Sequence, residues 1–290
     1  MQKTNEFKQK SQLAMIWRRF KKNKLAMVGL AVFCVIVFLA VFANFFADYE
    51  LDCVNQNIFE RLKPPGEGHI MGTDAFGRDV FARIIYGARI SLYVSLTVML
   101  AAVTIGTIIG AFVGYYGGVL DSIVMRIVDV FLAVPSILMS VTVVAALGTG
   151  VPVLIIALTV SRIPSFIRIV RSTVMQVKCS DYIEAAIAYG SNSRRIILRH
   201  VLPNALGPII VQATLDLAGI LISIAGLGFI GLGIPSPQPE WGTMLAESKV
   251  NMLTHPSLMF FPGMAIAITV LSLNVIGDGL RDALDPKLKN

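Results

Sequence analysis

An all-α integral membrane protein is the fold class this chain predicts, and three observations predict it. Mean hydropathy is +0.72, and 55% of the 290 residues are hydrophobic against 15% charged, outside the range of soluble domains. Charge-free runs fall at Leu25–Ala47, Ile90–Leu120, Val130–Ser161, Val201–Leu215 continued by Leu217–Pro239, and Pro256–Gly277. The third run is too long for one crossing and contains Gly148-Thr149-Gly150-Val151-Pro152, a turn signal, so it divides into a hairpin of two helices. Six transmembrane helices result.

The chain opens on a basic tail, 1–24, whose end from Trp17 to Lys24 is placed like the basic region of a signal peptide. The apolar run after it, 25–47, is about 23 residues and lacks a small-residue cleavage site, so it reads as a retained first helix. The segment 48–89 follows. In it Thr73 or Asp74 can cap a helix with Phe76, Val80, Ile84 and Ala88 on one face and Asp79 and Arg83 on another. Such an amphipathic helix can lie on the bilayer, seal an outer gate or seat a binding protein. A five-helix core occupies 90–279, interrupted by the polar insert 180–203, and 280–290 forms a second tail.

Basic residues orient this topology. Nineteen of the 25 lie on the side that carries both tails and the insert, and six lie opposite, which places both tails and the insert in the cytoplasm. The formal charge of +7 then reflects topology and attraction to lipid headgroups. Nucleic-acid binding is disfavoured, because no basic patch is joined to a soluble fold.

Charges inside spans mark structural pairs or a pathway. Reflection through the turn near residue 150 puts Asp129, close to Arg126, level with Arg168 and Arg171. Arg162 and Asp216 lie deeper, about nine residues or about 14 Å from the inner ends of their helices. With Gln212 they either line a translocation route or pair two helices. Gly106, Gly110 and Gly114, and the set Gly226, Gly228, Gly231 and Gly233, predict close helix packing. Pro235-Ser236-Pro237 and Pro239-Glu240-Trp241 read as a stiff external loop with an interfacial Trp.

Catalytic chemistry finds no foothold in the sequence. No glycine-rich phosphate loop is present, His69, His200 and His255 are scattered, and Cys34, Cys53 and Cys179 are isolated, so neither a nucleotide site, a metal cluster nor a disulfide is expected. No serine elbow is recognisable either. The chain is expected not to be an enzyme.

The insert has its own design. Asp181 and Glu184 have capping-box spacing, predicting a helix from Tyr182 to Tyr189 that ends at Gly190. Ser191 or Ser193 can cap a second helix with Ile197 and Val201 on one face and Arg194, Arg195 and Arg199 free for solvent or a partner, until Pro203 interrupts it. A basic helical hairpin standing off the membrane is the expectation.

Glu184-Ala185-Ala186, then Gly190, then Leu202-Pro203 resembles the cytoplasmic signature of permease subunits in binding-protein-dependent ABC importers. His200 occupies a position that is apolar in the general pattern, and Arg199-His200-Val201-Leu202-Pro203-Asn204 is similar to the form used by the peptide and nickel branch. His69 to Asp79, Ile85 to Leu92 and Gly277 to Pro286 resemble segments of dipeptide and oligopeptide C-type permeases. The resemblance implies a type I ABC importer permease fold in a bacterial inner membrane, a homologous second permease, two ATPase subunits that hold ATP and Mg, and an external binding protein. It makes Asp181, Glu184, Ala185, Ala186, Gly190, Arg194, Arg195, Leu202 and Pro203 the ATPase-coupling residues. A permease for glutathione, nickel or another metal chelate remains the alternative. A secondary transporter lacks support in any inverted repeat, and a membrane anchor or receptor leaves the deep charges unexplained.

Overall fold

The computed structural model describes residues 12–66 and 68–284. The outer parts of both tails, with Asp285 and Pro286 of the C-terminal motif, lie outside the described residues. Helix α1 (Gln12–Phe20) leads to α2 (Lys24–Val41), where Asn23 Oδ1 accepts from the Ala26 amide at 3.1 Å. After a break at Phe42 the short α3 (Ala43–Phe46) ends the first crossing.

The described residues between 48 and 79 form an irregular cap rather than an amphipathic helix. It holds a π-helical turn, Tyr49–Val54, and a 3-10 turn, Ile58–Glu60, and neither Thr73 nor Asp74 caps a helix. Asp79 does: its Oδ1 accepts from the Ala82 amide at 2.8 Å, and α4 (Val80–Tyr116) runs from there without a break for 37 residues. The stripe of Val80, Ile84 and Ala88 continues directly into the span, and Val80 and Ala88 are buried in the bundle rather than laid on a bilayer.

The next crossing departs from the sequence expectation. Helices α5 (Gly118–Ala133) and α6 (Ser136–Leu147) meet at 86°, so the first arm of the expected hairpin is a half-span joined to a transverse helix. Pro135 is the cause, since it has no N–H to continue the ladder from α5. The turn at Gly148–Gly150 stands where the sequence placed it, with φ of 90° and 133° at the two glycines. Helix α7 (Val151–Lys178) returns across the membrane.

Helices α8 (Asp181–Ala188) and α9 (Ser193–Ile196) follow, and a π-helical turn, Ile197–Val201, runs straight into α10 (Leu202–Phe229). Pro203 does not interrupt this arm, because it occupies the first turn of α10, where an amide is dispensable. Helix α11 (Trp241–Ser248) folds back into the bundle, and α12 (Ser257–Leu284) carries the last crossing seven residues beyond Gly277. Five segments are long and apolar enough to cross, containing α2, α4, α7, α10 and α12, and the bent α5–α6 pair makes a sixth if counted as one.

Close packing of α4 on α7 organises the core. A Cβ at Gly110 would sit 2.7 Å from the Ile167 carbonyl, so only glycine permits this separation. At the other end of the bundle Trp241 is buried, not interfacial: its indole donates to the Ile84 carbonyl at 3.0 Å. Glu240 caps α11 through the amides of Gly242 and Thr243 at 2.8 and 2.9 Å. The Pro239-Glu240-Trp241 end of the expected external loop is therefore part of the core, and Trp241 presents no surface to a partner, whereas Pro235, Ser236 and Pro237 are exposed.

Candidate functional site

A polar stripe runs along α10. Gln212, Asp216, Gly219 and Ser223 are spaced four, three and four apart and so share one helix face. Arg162 of α7 meets this face, with Nη1 3.9 Å from Asp216 Oδ1 and Nη2 donating to the Gly219 carbonyl at 3.2 Å and Ser223 Oγ at 2.8 Å. Both charges keep 18% of their side-chain surface accessible. Because α7 and α10 extend past the apolar runs to Lys178 and Leu202, Arg162 and Asp216 lie about 24 and 21 Å from those ends at about 1.5 Å per residue, deeper than the sequence suggested. Towards the hairpin end, a cavity of about 420 Å³ lies between α7, α10 and α12, with Gln212 in its wall beside Pro208 and Leu215, and with Arg281.

Asp129 bonds Arg168, as the reflection through residue 150 required. Arg171 instead forms a paired interaction with Asp121 of α5, a partner that the sequence reading missed because α5 turns across the bundle.

The hairpin is seated rather than standing off. Ile183, Ile196, Ile197 and Val201 are buried in one cluster with Ala111 and Tyr115 of α4, Val170 and Val174 of α7, and Ala205 and Ile209 of α10. Ser180, not Asp181, occupies the cap position, its carbonyl accepting from Ile183 at 2.9 Å, so Asp181 and Glu184 both lie in the first turn, where negative charge suits the helix dipole. Gly190 adopts φ 77°, the left-handed turn its identity foretold. The second arm is capped by Asn192, whose Oδ1 accepts from the Arg195 amide at 2.9 Å, rather than by Ser191 or Ser193. Asp181, Glu184, Ala185, Arg195 and Arg199 are exposed, while Leu202 is partly buried at the root with Pro203 beside it. Arg194, also exposed, lines a groove against α4.

At the opposite end, sequence reading missed a buried ion network. Arg78 donates to Asp74 Oδ2 and Glu247 Oε2, both at 2.7 Å, and to Ser236 Oγ at 3.2 Å. Arg83 was expected to face Asp79, yet it bonds Asp74 and Glu247. Asp79 bonds His69 Nδ1 at 2.7 Å instead, and His69 Nε2 lies 3.1 Å from Glu60. The two carboxylates raise the His69 pKa, Asp79 most, against the opposing effect of burial. Among the described residues no group of three or more His, Cys, Asp or Glu is placed to hold a metal ion.

Comparison with known proteins matches residues 106–290 to the binding-protein-dependent transport system inner membrane component family. The chain belongs to this family. Residues 11–65 match a second model, the N-terminal TM domain of oligopeptide transport permease C. Similar proteins include the dipeptide transport system permease protein DppC of Alkalihalophilus pseudofirmus, 44% identical over 94% of this chain and 90% of its own length. The oligopeptide transport system permease protein OppC of Bacillus subtilis is 41% identical over 93% of this chain and 88% of its own. The glutathione transport system permease protein GsiD of Shigella flexneri is 43% identical over 94% and 90%. An inward-facing structure of the MetNI methionine ABC transporter superposes with a TM-score of 0.58 at 22% identity, over 70% of this chain and 96% of that one, a likeness of fold. As a permease of this family the chain works with a homologous partner permease, an external binding protein, and separate subunits that hydrolyse ATP.

Proposed function

We propose that this permease belongs to an importer of di- or oligopeptides, and that the α10 stripe with Arg162 lines its route. The similarity to permeases named for dipeptide, oligopeptide and glutathione, over more than nine tenths of the chain, supports the substrate class. Glutathione is itself a peptide, so it stays within this reading; a nickel or metal-chelate cargo is the alternative. The hairpin end and both termini face the cytoplasm, where most basic residues fall.

The seating of the hairpin supports the mechanism. Its buried residues belong to the same core as α4, α7 and α10, so a force applied to its exposed face moves those helices rather than bending a loop. Asp181, Glu184, Ala185 and Arg195 form the part of that face offered to the ATPase, and Gly190 sets the angle between the arms. Ala186 and the Leu202-Pro203 root hold the arms in register. ATP binding to the partner subunits then shifts the balance between two arrangements of the bundle, through contacts that differ between the two. Arg162 and Asp216 satisfy each other while the route is empty, and a peptide with both an ammonium and a carboxylate can replace that loose pairing.

The test is transport by the whole complex in proteoliposomes. Glu184→Lys and Gly190→Pro should abolish ligand-stimulated ATPase while the subunit still inserts; normal stimulation would refute the coupling role. Asp216→Asn should lower transport with the ATPase retained, and a wild-type rate across peptides at equal abundance would remove Asp216 from the route.

A further inference from the structure

We propose that a groove between α4 and the root of the hairpin binds an anionic phospholipid, one acyl chain lying in the groove and the phosphate resting on Arg194. The proposal rests on the cytoplasmic orientation given above, which puts this end of α4 in the inner leaflet.

One side of α4 is unpartnered along most of its length: Tyr93, Leu96, Leu100, Ile108, Phe112 and Tyr116 are all exposed and recur at three- and four-residue intervals or their multiples. A side this apolar, interrupted by the exposed Thr104 between Leu100 and Ile108, suits hydrocarbon on a membrane helix. At its inner end the π-helical turn stands away and leaves a groove of about 390 Å³, with Ile108, Phe112 and Tyr116 on one wall and Leu198 and Leu202 on the other. Phe112 and Tyr116 tilt against each other at 4.6 Å, giving that wall a continuous aromatic surface.

A single cation, Arg194, sits on this apolar cleft. Among the described residues it has no carboxylate partner, whereas Arg162, Arg168 and Arg171 of α7 each have one. Tyr116 is the last residue of α4, which sets Arg194 at headgroup depth. An occupant complementary to this site needs a long apolar body and one anionic group at its end. A phospholipid with a net negative headgroup supplies both, and basic pockets at the cytoplasmic ends of membrane helices favour such lipids. The bound chain would brace the joint through which the hairpin moves the bundle.

The experiment uses the assembled transporter, equilibrated with vesicles of mixed phosphatidylglycerol and phosphatidylcholine and examined by native mass spectrometry for retained lipid. Wild type should retain phosphatidylglycerol preferentially. Arg194→Gln should reduce that preference about fivefold, the effect of one surface cation on an anionic headgroup, and Ile108→Trp, which fills the groove, should displace both lipids. Equal retention of both lipids by wild type would overturn the proposal, as would an unchanged preference in Arg194→Gln, or disulfide capture of the partner permease by a cysteine at position 108. Loss of ligand-stimulated ATPase in these variants bears on the coupling role alone, and the ratio of retained lipids bears on this site.

Discussion

Arg83 places one nitrogen, Nη1, between Asp74 and Glu247, at 2.5 Å from Asp74 Oδ2 and 2.7 Å from Glu247 Oε2. Arg78 bonds the same two oxygens. Two cations and two anions thus share one buried centre with no net charge, and it joins the 48–79 cap, the first turn of α4 and helix α11. Removing one member strands the others away from water.

Glu247→Ala should therefore destabilise the subunit by about 3–5 kcal/mol, the usual result of breaking a buried pair from one side. Thermal unfolding of the purified complex measures it. Replacing all four charges together by apolar residues of similar volume should cost less than the single change, because no orphan ion remains.

Gly110→Ala should loosen the α4–α7 contact by about 1–3 kcal/mol, since its Cβ would meet the Ile167 carbonyl at 2.7 Å. Gly226→Ala serves as the comparison, because the nearest atom to its Cβ, Ile137 Cδ1, is 3.8 Å away. Equal melting behaviour of the two variants would show that the contact is not tight.

The cap should be most stable in mildly acidic solution. The pKa of His69 is raised above its ordinary 6.5 by Asp79 and Glu60, so its contribution is complete below 6.5 and fades as pH rises through the shifted value. Glu60 is lowered from 4.5 by Lys63 first and His69 second, so its contribution is complete above 4.5 and fades as pH falls through the lower value. Protection of residues 48–79 from proteolysis, followed against pH, should decline on the alkaline side in wild type and lose that decline in His69→Gln.

Cys53 should resist alkylation. It is fully buried, and desolvation pushes its thiol up to about 12, so almost no thiolate exists at neutral pH. Cys179 is exposed in the turn after α7. Mass spectrometry after maleimide treatment should find Cys179 modified in the folded complex and Cys53 modified only after denaturation.

Much of this architecture is legible in the sequence because lipid imposes simple rules. Charge-free runs locate the five long spans, Gly148–Gly150 marks a turn, and equal depth in a hairpin pairs Asp129 with Arg168. Gly190 announces its conformation, since only a residue without a side chain takes that turn freely. Other features have no local signature. Hydropathy is blind to direction, so the 86° break at Val134-Pro135 hides inside an apolar run, with Pro135 its one visible sign. Glu247 meets Arg83 from 164 positions away, a partnership that spacing cannot reveal. The candidate route is legible only in part: the charges of Arg162 and Asp216 stand out, but Gly219 and Ser223, which help hold the guanidinium, look like ordinary span residues until the helices are side by side.

The break between α5 and α6 has one more consequence. Ser140 meets Ser161 well inside α7, so the break five residues before it lies at membrane depth. The first amides of α6 and the α5 carbonyls beyond Phe131, whose own oxygen accepts from the Val134 amide at 3.3 Å, are left without helical partners there, and no side chain among the described residues bonds them. Hydrocarbon cannot solvate such groups; only protein or trapped water can. Synthesised alone, this subunit would carry unpaired backbone groups within a crossing, to be covered by protein or water before its fold is complete.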